Sequence, residues 1–306
     1  MISRISKWIF GQQRQESMVV CRVGFGFILF CSYLWRVPYV DFFFGPTGMG
    51  GFYFHQNHPQ VGDVTIPVLK PFYFLHLIEN PNIIYVLYLS ILLCSLAFMV
   101  GFRTRLTGSI ALLLHCLFVA RAPFAFWSWS YMIRPFMLYV VLSQAGSFSS
   151  VDSLIRKKRT GHASPTPGMG TGWPLRLMQV HLVAMYFHNS IGRFELQGWA
   201  DGAMVFGAMN SNLFSRFPTF PWSEFMPILK LINYFALILE PLAVLMWFKR
   251  IGPWIALALF AMHFNLELLN HVGWWNVMMC CALTSFMPAK WLRWKWKEGP
   301  PLPDLS

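Results

Sequence analysis

One long apolar run of the chain, residues 173–193, carries four polar side chains that could take part in chemistry. They are Gln179, His181, His188 and Asn189. Because His181 and His188 are seven residues apart, a helix places them about 20° apart on one face. Histidine gives or takes a proton near neutral pH, and polar groups in hydrocarbon usually face a protein interior, where they often mark function. This face therefore predicts either a proton-transfer site or a set of hydrogen bonds between helices.

Other ionisable residues also lie inside or beside apolar runs, and the distance to the end of each run indicates depth at ~1.5 Å per residue. One layer lies on the side of the chain termini and consists of Arg22, His181 and Glu240. The other layer lies in the opposite half of the membrane and contains Arg134, His188, Glu267 and His271. Arg193 and Glu195 belong to the same half but lie at its outer rim. An unpaired charge near the bilayer centre costs at least ~2.5–3.5 kcal/mol, so mutual neutralisation within each layer is expected.

We therefore expect one outward-opening polar pocket in which His188, Arg134 and Glu267 converge, with the deeper layer closing its floor. Arg193 is expected to hold an anionic or carbonyl group rather than to move protons, because a guanidinium stays protonated. Its structural alternatives are the anchoring of a lipid headgroup and a local pair with Glu195. For the whole layer, the alternative is that backbone carbonyls, serines or headgroups satisfy each group locally.

Neither the histidines nor the cysteines have the spacing of a metal site. His263, Glu267 and His271 recur at intervals of four residues, but His271 is displaced ~80° around the helix from His263, and there is no His-Glu-x-x-His motif. The six cysteines all lie within apolar segments, without paired Cys-x-x-Cys spacing. We expect them to be small core residues and predict no metal ligands.

The composition is that of a polytopic membrane protein. Hydrophobic residues make up 56% of the 306 residues, aromatic residues 18% and charged residues only 12%, which excludes an ordinary soluble domain. The formal charge of +12 lies in short clusters between apolar runs, which argues against nucleic-acid binding. The predicted fold is an all-α transmembrane helical bundle with about eight spans and additional interfacial helices.

The apolar runs divide the chain into three parts. Residues 1–16 form an amphipathic basic segment typical of a helix on a membrane surface, residues 17–289 a single transmembrane domain, and residues 290–306 a basic tail. The spans are expected at about 17–36, 81–102, 106–120, 127–147, 173–193, 224–248, 251–272 and 273–289. Two connections are distinctive: an interfacial segment is expected at 66–78 and a hinge within 156–172.

The basic residues predict the orientation of the bundle. Most of the 24 lysine and arginine residues fall in the terminal segments and in the loops on the same side of the membrane. Because positively charged loops stay in the cytoplasm, both termini are expected there. The chain is thus predicted to be a multi-pass protein of the inner (plasma) membrane.

Four sequence blocks follow one another in an order known from a membrane family. They run from Arg22 to Gly51, from Arg134 to Asp152, from Tyr186 to Gly202, and from Glu240-Pro241 to His263. The first includes a Trp-Arg pair and a Gly-rich turn, and the third ends in Trp199-x-x-Gly202. In this order the blocks resemble the HTTM family, the membrane domain shared with vitamin K-dependent γ-carboxylase, and the chain is similar to its short bacterial members.

The resemblance implies the fold but not carboxylation. The family's carboxylases use a lysine of the third block to help generate a strong base, whereas Arg193 and Phe194 stand in that region here. Arginine, with a pKa above ~12, does not serve as a general base. The carboxylases also have a histidine where this chain has Trp129-Ser130-Tyr131.

Two functions from different classes remain open. The first is a membrane protein whose polar pocket binds a lipid, a quinone or a peptide, as a membrane-embedded modifying enzyme or a peptide-maturation factor. The second is a non-enzymatic membrane partner or assembly factor with a structural polar core. For the first, the residues expected to act chemically are His188, Arg193 and Glu267. Those expected to bind the ligand are Arg134, His181, Trp199, Glu240, His263 and Arg22. The sequence identifies no cofactor; membrane lipids and a membrane-protein partner are the remaining expected partners.

Overall fold

The computed structural model describes residues 2–50, 75, 78–161 and 168–292, with side chains from residue 5 onward. Within this part the α-helices are α1 (Ile2–Phe10), α2 (Glu16–Leu34), α3 (Val40–Phe44), α4 (Pro81–Val100), α5 (Thr104–Arg121), α6 (Trp129–Leu142), α7 (Val151–Thr160), α8 (Trp173–Glu195), α9 (Gln197–Ala200), α10 (Ala203–Met209), α11 (Met226–Leu239), α12 (Gly252–Leu269), α13 (Trp275–Leu283) and α14 (Ala289–Leu292). Short 3₁₀ helices cover Val37–Tyr39, Pro123–Ala125, Trp222–Phe225, Pro241–Trp247 and Thr284–Phe286. The predicted all-α fold is confirmed.

Among the residues that the structure describes, five helices are long and apolar enough to cross a membrane. They are Glu16–Leu34, Pro81–Val100, Thr104–Arg121, Trp222–Leu239 and Gly252–Leu269. The other three predicted spans also coincide with helices, but α6 has only 14 residues, α13 only nine, and α8 carries many polar side chains. The number of eight spans therefore stays a prediction.

The predicted span at 224–248 changes its helix type halfway. The α-helix ends at Leu239, and the chain continues through Glu240 into the 3₁₀ helix Pro241–Trp247. Proline lacks an amide hydrogen, and its ring clashes with the carbonyl four residues earlier, so it disrupts an α-helix that it enters from inside. Pro241 thus places Glu240 at a junction in the middle of the segment.

Helix α2 lies at the centre of the bundle. It packs against α4, α6 and α13, while α5 packs between α4 and α6. A second group is formed by α8, α12, α13 and the Pro241–Trp247 helix, and it joins the first through α2–α13 and α6–α8 contacts. Small residues permit these close approaches: a Cβ at Gly26 would lie 2.7 Å from Met99, and one at Gly24 would lie 2.2 Å from the Cys281 sulfur.

The N-terminal segment is attached to the beginning of α8. Strand β1 (Gln12–Arg14) pairs antiparallel with β2 (Met169–Thr171). The ring of Trp8 on α1 lies 5.5 Å from that of Trp247. Helix α1 therefore packs against the protein, and its predicted position on the membrane surface stays a prediction. Three predicted segments lie largely outside the described residues. They are the interfacial segment at 66–78, of which only residues 75 and 78 are described, the middle of the hinge within 156–172, and most of the tail at 290–306.

Candidate functional site

An ion pair joins the last turn of α8 to the junction after α11. The Arg193 guanidinium donates to Oε1 of Glu240, whose side chain is only 4% exposed, against 26% for Arg193. The guanidinium also lies over the ring of Trp199, 4.4 Å from its centroid. Oε2 of Glu240 is buried and has no hydrogen-bond partner among the described residues. Arg193 therefore neutralises the charge of Glu240, while Oε2 of Glu240 still lacks a hydrogen-bond donor.

A chain of hydrogen bonds runs beside this pair through three helices. The hydroxyl of Tyr186 lies 2.8 Å from Nε2 of His263, and Nδ1 of His263 lies 2.9 Å from Oδ1 of Asn276. The Asn276 amide nitrogen is 3.5 Å from Oε2 of Glu267, whose Oε1 accepts from Arg216 at 2.7 Å. Tyr186, His263 and Asn276 are all buried, whereas Glu267 and Arg216 are partly exposed. The chain thus connects the interior with the surface.

The direction of these bonds follows from their acceptors. Since the Glu267 carboxylate only accepts, the Asn276 amide group donates to it and turns its carbonyl oxygen toward His263. Nδ1 of His263 must then carry the hydrogen, and Nε2 accepts from the hydroxyl of Tyr186. The Tyr186 oxygen keeps acceptor capacity, and it lies within electrostatic range of both Glu240 and Arg193.

Helix α11 holds the turn that carries Trp199. The amide of Asn233 donates to the Trp199 carbonyl at 2.8 Å, and the hydroxyl of Tyr234 donates to the Ala200 carbonyl at 2.9 Å. Gly202, with φ of 72°, lets the chain turn into α10 against Lys230. These bonds fix the indole on which the Arg193 guanidinium lies.

The partner of Glu240 differs from the one that its predicted depth implied. Glu240 was expected one layer below Arg193, with His181 and Arg22, and Glu195 was the local alternative partner of Arg193. The structure pairs Arg193 with Glu240 instead. An arginine side chain on a helix extends toward the N-terminus of its helix, which brings the guanidinium inward from the rim, and Pro241 moves the carboxylate off the straight helical path.

The contacts of His188, Arg134 and Glu267 in the structure do not join these three side chains, so their predicted convergence stays a prediction. His188 is exposed on α8. Arg134 donates to the Ser130 carbonyl of its own helix at 3.2 Å and lies over the Tyr131 ring at 4.6 Å. Glu267 pairs with Arg216. Depth along a helix, on which the prediction rested, says nothing about the direction in which each side chain faces.

The predicted pocket floor also separates into unrelated contacts. Nδ1 of His181 lies 3.2 Å from the hydroxyl of Tyr139, between α8 and α6. Arg22 is buried and donates to the carbonyls of Ala145 at 2.8 Å and Ser149 at 2.5 Å. Arg22 thus fixes the connection between α6 and α7, and the hydrogen bonds described for Arg22 and His181 do not involve Glu240.

Sequence reasoning missed a second buried polar group, between α2, α5 and α6. The hydroxyl of Tyr33 donates to Nδ1 of His115 at 3.0 Å, and Nε2 of His115 donates to the Ser130 carbonyl at 3.2 Å. Nearby, Arg36 donates to the Ala125 carbonyl at 2.7 Å and Arg121 to the Phe44 carbonyl at 2.6 Å. These guanidinium groups connect backbone carbonyls of different segments. In the sequence, the one histidine of the 106–120 run, His115, was the signal that could have indicated this buried polar group.

No group of three or more histidine, cysteine, aspartate or glutamate side chains is placed to hold a metal ion in the described part of the chain. The six cysteines are free thiols. The side chains that form the candidate site are Arg193, Glu240, Tyr186 and His263.

Comparison with known proteins gives one positive result. A family model described as "HTTM domain" matches residues 10–291, which covers nearly the whole chain and all four sequence blocks. No curated protein and no solved structure matches the chain.

Proposed function

The chain belongs to the HTTM domain family, and on that premise we propose that it is a membrane protein that binds the polar head of an amphiphile at Arg193 and Glu240. The ligand classes that suit the site are a lipid, a quinone and a peptide segment. Each combines an apolar body with carbonyl, hydroxyl or amide groups. Several apolar helices identify the protein as a multi-pass membrane protein; we place it in the inner membrane, with both termini cytoplasmic and the Arg193 end outside.

The unpaired oxygen of Glu240 carries the proposal. Burying a carboxylate is costly unless its oxygens are hydrogen-bonded, yet Oε2 has no donor among the described residues. A ligand hydroxyl or amide hydrogen would satisfy it. Arg193 is partly exposed at the end of α8, so a ligand arriving from the side of the bundle meets the guanidinium first.

The site offers complementary groups to such a ligand. The remaining N–H groups of Arg193 can donate to a carbonyl or anionic oxygen, while Glu240 and the Tyr186 oxygen can accept. In a modifying enzyme, a proton could pass from the ligand to Tyr186 while Tyr186 donates its own to Nε2 of His263. Arg193 stays protonated and holds charge, so carboxylation is not part of the proposal. Glu267 orients the chain through Asn276.

The alternative function is a partner or assembly factor with a structural polar core. One observation favours it: from Tyr186 to Arg216 every link has its partner within the protein. A network of this kind stabilises a unique arrangement of helices without needing a ligand. It leaves Oε2 of Glu240 unexplained, which is why binding is preferred. A peptide-maturation role is compatible with both functions.

Native mass spectrometry of small molecules retained after gentle detergent extraction tests the proposal. The wild-type protein should retain a ligand that Arg193→Ala and Glu240→Gln lose. His188→Ala is the matched control, because His188 lies exposed on the same helix, and this variant should retain the ligand. Equal retention in all four proteins, with altered stability alone, would favour the structural core.

A further inference from the structure

A polar cleft lies at the opposite end of α8 from Arg193. Arg176 lines it, and the 17 residues to Arg193 correspond to ~25 Å along the helix. The cleft has a volume of about 140 Å³, and its polar wall includes Arg14, Glu16, Gln179 and Ser285. It is formed where the β1 strand and the start of α2 meet α8. The cleft is thus separate from the site at Arg193.

An apolar groove adjoins this cleft and shares Arg176 with it. The groove is lined by Trp8 and Phe10 of α1 and by Trp173, Leu177 and Val180 of α8. Trp8, Phe10, Leu177 and Val180 are exposed. Tryptophan is enriched at the interface between a membrane and water, so a groove with these walls suits the upper part of an acyl chain.

Of the two arginines that line the cleft, Arg14 pairs with a carboxylate of the described residues and Arg176 does not. Arg14 donates to Oε1 of Glu16 at 2.7 and 2.5 Å. Arg176 donates to the uncharged Gln179 at 2.8 Å and lies 4.8 Å from the Trp8 ring centroid, and it has no carboxylate partner among the described residues. Within the described residues, no carboxylate therefore neutralises the positive charge at the junction of cleft and groove.

The wall of the cleft contains a buried hydroxyl, that of Ser285. The Ser285 residue is only 6% exposed, and within the described residues its hydroxyl has no hydrogen-bond partner. The amide of Gln179 donates to the Ser285 carbonyl at 2.6 Å, which keeps the residue at the wall. Phosphate oxygens can accept hydrogen bonds both from a buried hydroxyl that has no partner and from a guanidinium that has no carboxylate partner.

We propose that cleft and groove together bind one anionic phospholipid. Its phosphate lies against the Arg176 guanidinium and the Ser285 hydroxyl, and one acyl chain follows the groove between α1 and α8. An oxyanion and a chain of methylene groups on one molecule match the adjacent charged and apolar walls. The bound lipid would attach the amphipathic N-terminal helix to the bundle.

Binding of phosphatidylglycerol and of phosphatidylcholine to the purified full-length protein, measured by native mass spectrometry, tests this proposal. Wild type should prefer phosphatidylglycerol, and Arg176→Gln should lower that affinity about fivefold or more, as for loss of one basic contact. Lys158→Gln removes a comparable charge from the exposed end of α7 and should change little.

Val180→Trp tests the groove without changing charge. Because Val180 is exposed, the variant should fold, and an indole there should block the acyl chain and lower phosphatidylglycerol binding. The proposal is overturned if Val180→Trp binds this lipid normally, if Arg176→Gln loses no more than Lys158→Gln, or if both lipids bind equally. A co-purified peptide in place of the lipid would also overturn it.

Discussion

At the scale of single residues, Arg193 and Glu240 depend on each other. Glu240 is almost fully buried, and Arg193 is its one charged partner among the described residues. Breaking a buried pair from one side leaves an uncompensated charge, whereas removing both charges together often costs little. The two side chains should therefore be strongly coupled in stability.

A double-mutant cycle measures this coupling. Arg193→Ala should destabilise the protein by about 3–5 kcal/mol, because it leaves the Glu240 carboxylate buried and unpaired. Adding Glu240→Gln should recover most of that loss, since the remaining amide is neutral. Thermal unfolding in detergent gives the comparison. Additive effects of the two substitutions would show that the pair is not coupled.

The hydroxyl of Tyr186 makes a second testable contact. Tyr186→Phe should destabilise the protein by about 1–3 kcal/mol, because Nε2 of His263 stays buried without its donor. His188 is exposed on the same helix as Tyr186, so His188→Ala should change the free energy of unfolding by no more than about 0.5 kcal/mol in either direction. Chemical denaturation of both variants checks the difference, and similar values for the two would contradict the proposed hydrogen-bond chain.

At the scale of helices, hydrophobic periodicity predicted where the elements lie but not how their side chains face one another. Apolar runs located α2, α4, α5 and α12 within a few residues, because bilayer-length runs have few alternatives. The site was predicted only in part: Arg193, Trp199, Glu240 and His263 were named, but their grouping was not. Helix rotation and the bend at Pro241 decide that grouping, and they depend on packing between segments far apart in sequence.

Close helix packing predicts opposite effects for two glycine substitutions. Gly26→Ala should destabilise the bundle by about 1–3 kcal/mol, because the added Cβ would lie 2.7 Å from the Met99 backbone. Gly192→Ala in α8 meets nothing within 4 Å and should stabilise by about 0.5–1 kcal/mol through helix propensity. Melting temperatures of the two variants provide the test. A neutral Gly26→Ala would contradict the close α2–α4 contact.

At the scale of the whole molecule, the account depends on which side of the membrane each end of α8 occupies. The distribution of Lys and Arg predicts that the Trp173 end is cytoplasmic and the Arg193 end faces outward. The two binding sites proposed at these ends would then meet different compartments.

Single-cysteine labelling tests this orientation in intact cells, in a background without the six native cysteines. A membrane-impermeant thiol reagent should label Thr47→Cys and Ser211→Cys and should leave Lys158→Cys unlabelled until the cells are opened. The reverse pattern would place Arg193 and Glu240 on the cytoplasmic side.

The most direct measurement for the central claim is a cryo-electron microscopy map of the protein in lipid nanodiscs, resolved well enough to show Oε2 of Glu240. The account predicts non-protein density larger than a water molecule, with a donor atom about 2.7–3.2 Å from Oε2 and the same density in contact with Arg193. A side chain of the protein donating to Oε2, with no ligand density beside Arg193, would contradict the account and identify the polar network as structural.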